Sequence, residues 1–310
     1  MKQYTEQENL ACNAILKERI SLIQRTMEDE GIENFFMSWS GGKDSCVLSK
    51  LFDIAIPDNK IPRVWADTGL ELRLIREFIY DQMKKDNRIV RLKPTVNIKE
   101  MLEEEGYPFS SKAHAAMVDR YNRNGLDSVS VRKYLNKQTE EDGKGWSSSF
   151  RCPKRLLHQF TPQYKNKLKI SDRCCVRLKE QPLEDYKKKN DYKYHIIGLR
   201  QDEGGRRKTA QCFSYKNDKL YAFQPLAPIT EEWEEWFIQT YNVELCDIYK
   251  PPYNFDRTGC KGCPFSKKLR KELETLEKFF PDEYKQCYDI WKPVYDEYWL
   301  LRYRLLVEIK

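Results

Sequence analysis

Short apolar runs alternate with amphipathic stretches through the first third of the chain. Apolar residues recur at helical spacing over residues 9–30, and Gly31 ends this pattern, which predicts an amphipathic helix. The apolar runs 34–39, 63–66 and 89–92 predict three strands, and a helical pattern follows each of the first two. Strands that alternate with helices are typical of βαβ units. The fold class predicted is therefore α/β, with a twisted parallel sheet flanked by helices.

The remainder of the chain predicts further strands and a large helical part. Residues 194–198 and 220–226 predict two more strands of the same sheet, and residues 230–241 predict a helix. The polar, basic stretch 109–171 predicts an inserted helical or loop segment, and 266–310 is strongly helical. We expect one domain over 1–265, with 109–171 as its insertion, and a helical C-terminal extension over 266–310. Four tryptophans at helical spacing are predicted to be core residues: Trp233, Trp236, Trp291 and Trp299.

Composition narrows the class of protein. The 310 residues are 40% hydrophobic and 33% charged, with a mean hydropathy of -0.79, which is typical of a soluble globular chain. No apolar run approaches the roughly 18 residues that a membrane-spanning helix needs. The N-terminal residues lack the pattern of a signal peptide, so we expect a cytoplasmic protein without a membrane partner. Ten cysteines in a reducing compartment then indicate metal or redox chemistry rather than disulfides.

The charge balance adds a weaker indication. Lys and Arg number 55 against 48 Asp and Glu, which gives a formal net charge of +7. This excess suits an anionic substrate or partner, but the two signs are mixed along the chain. Charge alone therefore favours a nucleotide site only slightly over an ordinary solvated surface.

The motif Ser40-Gly41-Gly42-Lys43-Asp44-Ser45 stands between a predicted strand and a predicted helix. Two glycines let the backbone approach a ligand closely, while the amides at the helix start and the lysine attract phosphate oxygens. The spacing is not that of the Walker sequence. The alternative is a glycine turn, capped by Ser and Asp, before an ordinary helix. We predict a phosphate site and include in it Ser38, at the end of the preceding strand.

This motif resembles the PP-loop of the adenine-nucleotide α-hydrolase superfamily, whose fold is of the HUP type. The superfamily includes ATP pyrophosphatases, which cleave between the α and β phosphates, and the PAPS/APS reductases. Asp67-Thr68-Gly69, after the next strand, is similar to a second signature of the family. The resemblance implies that these three residues lie beside the sugar and base of a nucleotide. Without the resemblance, the same tripeptide is also a good turn at the end of a strand.

A third segment, Gly198 to Arg207, resembles the stretch Gly-x-Arg…Glu-Ser-x-x-Arg of the reductases. Gly198, Arg200 and Arg207 match family positions, and arginines offer forked donors suited to phosphate or sulfate. Gly204 replaces the usual serine, which leaves the role of that hydroxyl open. Taken alone, the segment would more often be a solvated basic loop.

The cysteines form a second constellation. Cys174-Cys175 together with Cys260-Lys261-Gly262-Cys263 resembles the set that holds a [4Fe-4S] cluster in APS reductases and some relatives. The resemblance implies Cys174, Cys175, Cys260 and Cys263 as cluster ligands. Adjacent cysteines are awkward for tetrahedral zinc but do not exclude it, and unligated thiols are the remaining alternative. Cys152, in the polar segment, is a further candidate as a reactive thiol.

The reaction is less certain than the family. Assimilatory reductases carry a catalytic cysteine in a C-terminal Glu-Cys-Gly-Leu-His tail, and we expect this chain to lack it, since it ends Leu305-Leu306-Val307-Glu308-Ile309-Lys310. This shifts the expectation to ATP pyrophosphatases that serve sulfur transfer, as in DNA phosphorothioation and tRNA thiolation. Such an enzyme would take ATP with Mg²⁺, a sulfur-donor protein and a nucleic acid acceptor as partners.

The resemblance implies these roles for the motif residues. Gly41, Gly42 and Lys43 would hold the leaving pyrophosphate, Asp44 would help to place Mg²⁺, and Asp67 would orient the adenosine. Lys43 and Asp44 are thus the candidate catalytic residues.

Three other functions stay open from the sequence. A reductase acting on APS or PAPS would need another thiol, for which Cys152 and Cys287 are the candidates. The chain could instead be a nucleic-acid-binding module with an inactive nucleotide site, or a structural zinc protein.

Overall fold

The computed structural model of the chain describes residues 2–93, 96–147, 150–203 and 205–305. It contains two compact units, each assembled from two separated segments. The first unit is Met1–Pro94 with Gln181–Thr258, and the second unit is Thr95–Glu180 with Gly259–Lys310. Residues 95–180 thus group with the C-terminal part of the chain. The expected domain boundary at 265 and the expected insertion at 109–171 stay predictions.

A six-stranded sheet forms the first unit. Its strands are β1 (Phe35–Ser38), β2 (Arg63–Ala66), β3 (Ile89–Leu92), β4 (Tyr194–Ile196), β5 (Phe213–Lys216) and β6 (Lys219–Phe223). They lie in the order β3-β2-β1-β4-β6-β5. All neighbouring strands are parallel except β5 and β6, which are antiparallel. This largely parallel sheet confirms the predicted α/β fold class.

Helices cover the sheet of the first unit. They are α1 (Glu6–Glu30), α2 (Lys43–Ala55), α3 (Arg73–Lys85), α9 (Gln181–Lys189) and α10 (Glu231–Thr240). Phe35 and Met37 of β1 point into a core that α1, α2 and α10 share. The next residue along β1, Phe36, faces the other way and contacts Tyr186 of α9. Because side chains alternate along a strand, a four-residue β1 fixes a buried layer on each of its faces.

The predicted strands and helices of this unit are present, and the structure adds helix α9 and strand β5. The sequence predicted strand β6 but not β5, which precedes β6 across a turn at Asn217-Asp218. Both turn residues have positive φ, 51° and 58°, which is the conformation of a tight hairpin turn. The exposed residues of β5, Tyr215 and Lys216, gave no apolar run to signal an edge strand.

The second unit is helical. Its helices are α4 (Ile98–Glu105), α5 (Lys112–Asn124), α6 (Val129–Leu135), α7 (Pro162–Lys165), α8 (Arg173–Cys175), α11 (Leu269–Phe279) and α12 (Pro281–Leu300). A π-helical turn, Val176–Glu180, follows α8 directly. Trp291 is buried as predicted, but the prediction for Trp299 is wrong, because its side chain is 40% exposed near the end of α12. Among the helices described, none is both long and apolar enough to cross a membrane.

Candidate functional site

The glycine-rich motif lies at the point in the sheet of the first unit where the strand order reverses. Residues 39–42 connect β1 to α2, and Arg200 follows β4, the strand beside β1. The chain proceeds from β1 to β2 and β3 on one side, whereas β4 and β6 extend the sheet on the other. In open parallel sheets, ligands bind beyond the carboxyl ends of the strands at such a switch point. The topology therefore favours this loop as the place of a ligand.

The loop has a defined conformation. Gly41 has a φ of 68°, and a Cβ there would come within 2.7 Å of Ile79 Cγ1 on α3. Ser45 Oγ donates to the carbonyl of Gly42 at 2.8 Å and accepts from the amide of Ser40 at 3.2 Å. A residue with a side chain would clash at position 41, so glycine is needed for the tight path of the loop.

Four charged side chains meet at the start of α2. Arg200 Nε donates to Asp44 Oδ1 at 2.6 Å. Lys43 Nζ and Arg200 Nη2 lie 3.2 and 3.1 Å from the same atom, Glu234 Oε2. The side chain of Glu234 is fully buried, and that of Arg200 is 6% exposed. Charges removed from water to this extent are costly unless they are paired, and here each cation contacts a carboxyl group.

The two carboxyl groups differ in acidity. Burial, and then the negative charge of Asp44, raise the pKa of Glu234 to about 8. Burial would also raise the pKa of Asp44, but its interactions with the Glu234 carboxyl group and with Arg200 outweigh burial and lower it. Glu234 therefore takes up a proton at a higher pH than Asp44 does. When Glu234 is ionised, it pairs with Lys43 and Arg200; when it is protonated, the four groups together carry a net positive charge, which suits an anionic ligand.

Two hydroxyl groups line the same loop. Tyr249 Oη accepts from the amide of Lys43 at 3.0 Å and donates to Thr258 Oγ1 at 3.0 Å. A Cβ on Gly42 would come within 3.0 Å of that same threonine oxygen. The N-terminus of α2 is therefore surrounded by hydrogen-bonding groups from residues that follow the sheet in the chain.

The tripeptide Asp67-Thr68-Gly69 forms a turn after β2. Asp67, 2% exposed, accepts from the amide of Gly69 at 2.9 Å and from Arg91 Nε at 2.8 Å. Thr68 Oγ1 donates to Glu71 Oε1 at 2.8 Å. Partners within the first unit thus occupy both side chains. The role of Asp67, Thr68 and Gly69 beside a nucleotide stays a prediction.

The segment after β4 approaches the same loop. A Cβ on Gly198 would lie 3.2 Å from the carbonyl oxygen of Asp44, so glycine lets this segment pack against the first turn of α2. Arg207 interacts electrostatically with Asp44, Arg200 and Arg257. Burial, followed by the charge of Arg257, lowers the pKa of Arg207. Gly204 and the side chain of Arg206 lie outside the described residues.

Ser38, at the end of β1, faces a histidine on the neighbouring strand. Its Oγ is hydrogen-bonded to Nε2 of His195, whose ring stacks on Phe36 with a centroid distance of 4.5 Å. Burial lowers the pKa of His195 to about 3, so the imidazole is neutral. His195 was not among the predicted site residues, and the register of β1 and β4 brings it beside Ser38.

The four predicted ligand cysteines all lie in the second unit. Cys174 is hydrogen-bonded to Cys175 and interacts electrostatically with Cys260 and Cys263. The hydrogen bond from Cys174 lowers the pKa of Cys175 to about 6, and Lys112 and Lys179 act in the same direction. Burial raises the pKa of Cys263. The fold thus brings the two halves of the predicted set, about 85 residues apart in sequence, within interacting distance.

Helix α12 holds the turn that carries Cys260 and Cys263. Trp291 Nε1 donates to the carbonyl of Lys261 at 3.0 Å, Tyr295 Oη donates to that of Gly262, and Tyr298 Oη donates to that of Pro264 at 2.8 Å.

Within the described residues, no three Cys, His, Asp or Glu side chains are arranged to hold a single metal ion. Four interacting thiols fit the donor set of a [4Fe-4S] cluster better than that of one zinc ion.

Four residues that contact or interact with the predicted site residues were not themselves predicted from the sequence. They are Glu234, Tyr249, Arg257 and Thr258. The signal for Glu234 was present, because it occupies a position between Trp233, Trp236 and Phe237 on the buried face of α10. A carboxylate on an apolar helix face indicates a buried partner. Tyr249 ends a three-residue 3-10 helix, and Arg257 and Thr258 lie in irregular chain, where spacing carries little information.

Comparisons with known proteins agree with the motif. The family profile described as "Phosphoadenosine phosphosulfate reductase domain" matches residues 34–125 and 117–266, which is more than half of the chain. Among curated proteins, none matches significantly.

Three solved structures show distant similarity. The phosphoadenylyl-sulfate (PAPS) reductase from Candida auris, in its phosphate complex, is 9% identical, with 80% of this chain and 92% of that chain covered and a TM-score of 0.39. The NH3-dependent NAD synthetase from Campylobacter jejuni is 12% identical, with coverage of 96% and 99% and a TM-score of 0.40. The U34-tRNA thiolase NcsA from Methanococcus maripaludis, with its [4Fe-4S] cluster, is 14% identical, with coverage of 94% and 80% and a TM-score of 0.38. Similarity at this level supports no inference about the reaction.

Proposed function

Because the chain belongs to the phosphoadenosine phosphosulfate reductase domain family, we propose that it binds an adenine nucleotide in its first unit. The nucleotide in this proposal is ATP, which the enzyme cleaves to AMP and pyrophosphate. Cleavage activates a substrate oxygen by adenylylation so that a sulfur nucleophile can replace it.

The observation that carries this proposal is the set of four ionisable side chains at the switch point of the sheet. Lys43 at the start of α2 and Arg200 after β4 approach one carboxyl oxygen of Glu234. Both cations thus stand where the glycine loop meets the start of a helix, whose partial positive charge adds to theirs. A ligand that carries several adjacent negative charges, such as a triphosphate, matches this arrangement best.

The roles of the residues follow from their charges. Lys43 and Arg200 would neutralise the charge that develops on the departing pyrophosphate. Asp44 is ionised, and its side chain is 25% exposed, so it offers the oxygen ligand that Mg²⁺ prefers. Ser38, Ser40, Gly41, Gly42 and Ser45 shape the loop, whereas Asp67, Thr68, Gly69, Gly198 and Arg207 would border the nucleotide.

The second unit would hold the cofactor. We propose that Cys174, Cys175, Cys260 and Cys263 bind a [4Fe-4S] cluster, since their thiols interact with one another in the fold. When bound, such a cluster supplies a redox-active centre rich in sulfur. Zinc is the alternative occupant. A nucleic acid acceptor and a sulfur-donor protein belong to the proposal as partners.

A reductase acting on APS or PAPS is less well supported. It would need a reactive thiolate, and the candidates were Cys152 and Cys287. Burial raises the pKa of each to about 12, and Cys287 is fully buried. A thiol of this kind is a poor nucleophile at neutral pH. The raised pKa values of Cys152 and Cys287 therefore favour ATP cleavage over sulfonucleotide reduction.

The test compares both reactions under anaerobic conditions with iron-reconstituted protein. One sample receives ATP and Mg²⁺, and the other receives APS or PAPS with a thiol reductant, while pyrophosphate, AMP and sulfite are measured. We expect pyrophosphate and AMP without sulfite, and loss of both products in Lys43→Ala.

Sulfite release would overturn the proposal in favour of a reductase. Binding of DNA or RNA without any turnover would instead favour a nucleic-acid-binding module. Iron content and colour of the purified protein separate the cluster from zinc.

A further inference from the structure

Glu234 is a carboxyl group on the apolar face of a helix. It lies one turn into α10, between residues that form the core of the first unit, and its side chain has no exposed surface. Placing a carboxyl group there costs free energy that a residue such as Val or Leu would not cost. Its position therefore calls for an explanation from its contacts.

Those contacts link three separated parts of the chain. Oε2 of Glu234 is 3.2 Å from Lys43 Nζ, on the glycine loop, and 3.1 Å from Arg200 Nη2, beyond β4. Both are ion-pair distances without hydrogen-bond alignment. Within the described residues, Glu234 Oε1 and Arg200 Nη1 have no hydrogen-bond partner, although both atoms are buried.

A single oxygen thus contacts both cations; Arg200 is also held by Asp44 at 2.6 Å, whereas Lys43 has Glu234 as its buried partner. Lysine has a long side chain with about 2 kcal/mol of rotamer entropy, so its ammonium group can occupy many positions. The ion pair with Glu234 restricts Lys43 to the side of the loop that faces Arg200. The neighbouring Glu231 contributes less, because it is 63% exposed and lies 3.6 Å from Lys43 Nζ.

We propose that Glu234 is a positioning residue, which holds Lys43 and Arg200 together so that they bind two adjacent phosphate groups of one ligand. This inference rests on the proposed function, since it names how the same site recognises a polyphosphate. It assigns no chemical step to Glu234. The ligand class is a pyrophosphate group, free or as part of ATP, in preference to a single phosphate.

The first experiment measures the position of Lys43 without any nucleotide. Acetylation of individual lysines by acetic anhydride is followed by mass spectrometry in the wild type, Glu234→Ala, Glu234→Gln and Glu235→Ala. Glu235 is an exposed residue of the same helix and serves as the matched control. We expect Lys43 to react at least threefold faster in Glu234→Ala, to show an intermediate rate in Glu234→Gln, and to keep its wild-type rate in Glu235→Ala.

The second experiment measures ligand binding to the same proteins by calorimetry, with Mg²⁺ and either pyrophosphate, inorganic phosphate or ATP. We expect Glu234→Ala to weaken pyrophosphate and ATP binding about tenfold, which corresponds to about 1.4 kcal/mol, and phosphate binding by less. In turnover assays, KM for ATP should rise more than kcat falls. Glu234→Gln keeps the side-chain volume, so it preserves the test if Glu234→Ala does not fold.

The outcomes separate this inference from the proposed function. Equal Lys43 reactivity and equal pyrophosphate affinity in the wild type and Glu234→Gln would overturn the positioning role. Faster acetylation and weaker pyrophosphate binding, in a protein that does not cleave ATP, would retain the positioning role and refute the proposed reaction. An equal loss of affinity for phosphate and pyrophosphate would overturn the preference for two adjacent phosphates.

Discussion

Gly41 shows how much the glycine loop depends on one missing side chain. Its φ of 68° is left-handed, and an added Cβ would meet Ile79. We expect Gly41→Ala to lower the free energy of unfolding by about 1 kcal/mol for the backbone and by a further ~1–3 kcal/mol for the contact. Urea denaturation measures the total, and ATP-dependent stabilisation should weaken because the loop must shift.

Gly143 provides the control for this substitution. Its φ is 69°, and a Cβ there would meet nothing within 4 Å. Gly143→Ala should therefore show only the backbone cost. Equal losses in the two variants would mean that the contact with Ile79 does not constrain the loop.

His114 of the second unit makes stability depend on pH. It is 1% exposed and bonded to Tyr134 and Gln159, and burial lowers its pKa from 6.5 to about 4. The unfolded chain therefore takes up the proton first as pH falls, so stability is full above about pH 6.5 and declines towards pH 4. The contribution of His114 to the free energy of unfolding that is lost over this pH range is about 3 kcal/mol.

Denaturation at several pH values tests this coupling. His114→Gln should be less stable at pH 7, but it should lose less stability between pH 6.5 and 4 than the wild type does. Parallel curves for the two proteins would contradict the assignment to His114.

The glycines and the lysine of the loop could be predicted because they are adjacent in sequence. Ser40 to Ser45 form one motif, and a local motif keeps its meaning whatever surrounds it. Glu234 could not be assigned in this way, because its role depends on Lys43 and Arg200, which only the folded sheet brings to it. Residues that act through distant partners are recognised from structure.

At the scale of elements, α12 supports the turn of Cys260 and Cys263. Trp291, 1% exposed, donates to the carbonyl of Lys261, so Trp291→Phe removes both packing and a hydrogen bond. We expect a loss of about 2 kcal/mol in the free energy of unfolding. The measurement is thermal or urea denaturation, together with the iron retained after gel filtration.

Trp299→Phe is the matched variant on the same helix, since that side chain is 40% exposed. Its stability should stay within about 0.5 kcal/mol of the wild type. If Trp299→Phe were as damaging as Trp291→Phe, the hydrogen bond to Lys261 would not be what stabilises the turn.

The same two tryptophans show what a helical pattern conveys. Periodicity predicted helices over 266–310, and α11 and α12 confirm them. It did not distinguish Trp291 from Trp299, because the final turn of a helix often extends beyond the core that its other turns face. Edge strand β5 was missed for a related reason, since its outer residues are exposed and carry no apolar alternation.

At the scale of the whole molecule, the proposed nucleotide residues and the proposed cluster ligands lie in different units. Lys43→Ala should therefore abolish the rise in melting temperature caused by ATP while leaving the iron content unchanged. Replacing Cys260 and Cys263 by serine should remove iron and leave that rise largely intact. Thermal denaturation with and without ATP, combined with iron analysis, measures both effects. A variant that loses both properties would contradict this separation.

The discontinuous construction of the two units also sets an order of events during synthesis. Asp44 leaves the ribosome 156 residues before Arg200, and Lys43 leaves 206 residues before Tyr249. Cys174 likewise precedes Cys260 by 86 residues. During synthesis, the glycine motif is therefore present well before Arg200 and Tyr249, and the pair Cys174-Cys175 well before Cys260 and Cys263. In the proposed assignment, the nucleotide residues are complete only after Arg207 has been made and the cluster ligands only after Cys263, so early folding depends on apolar packing such as that of α1, α2 and β1.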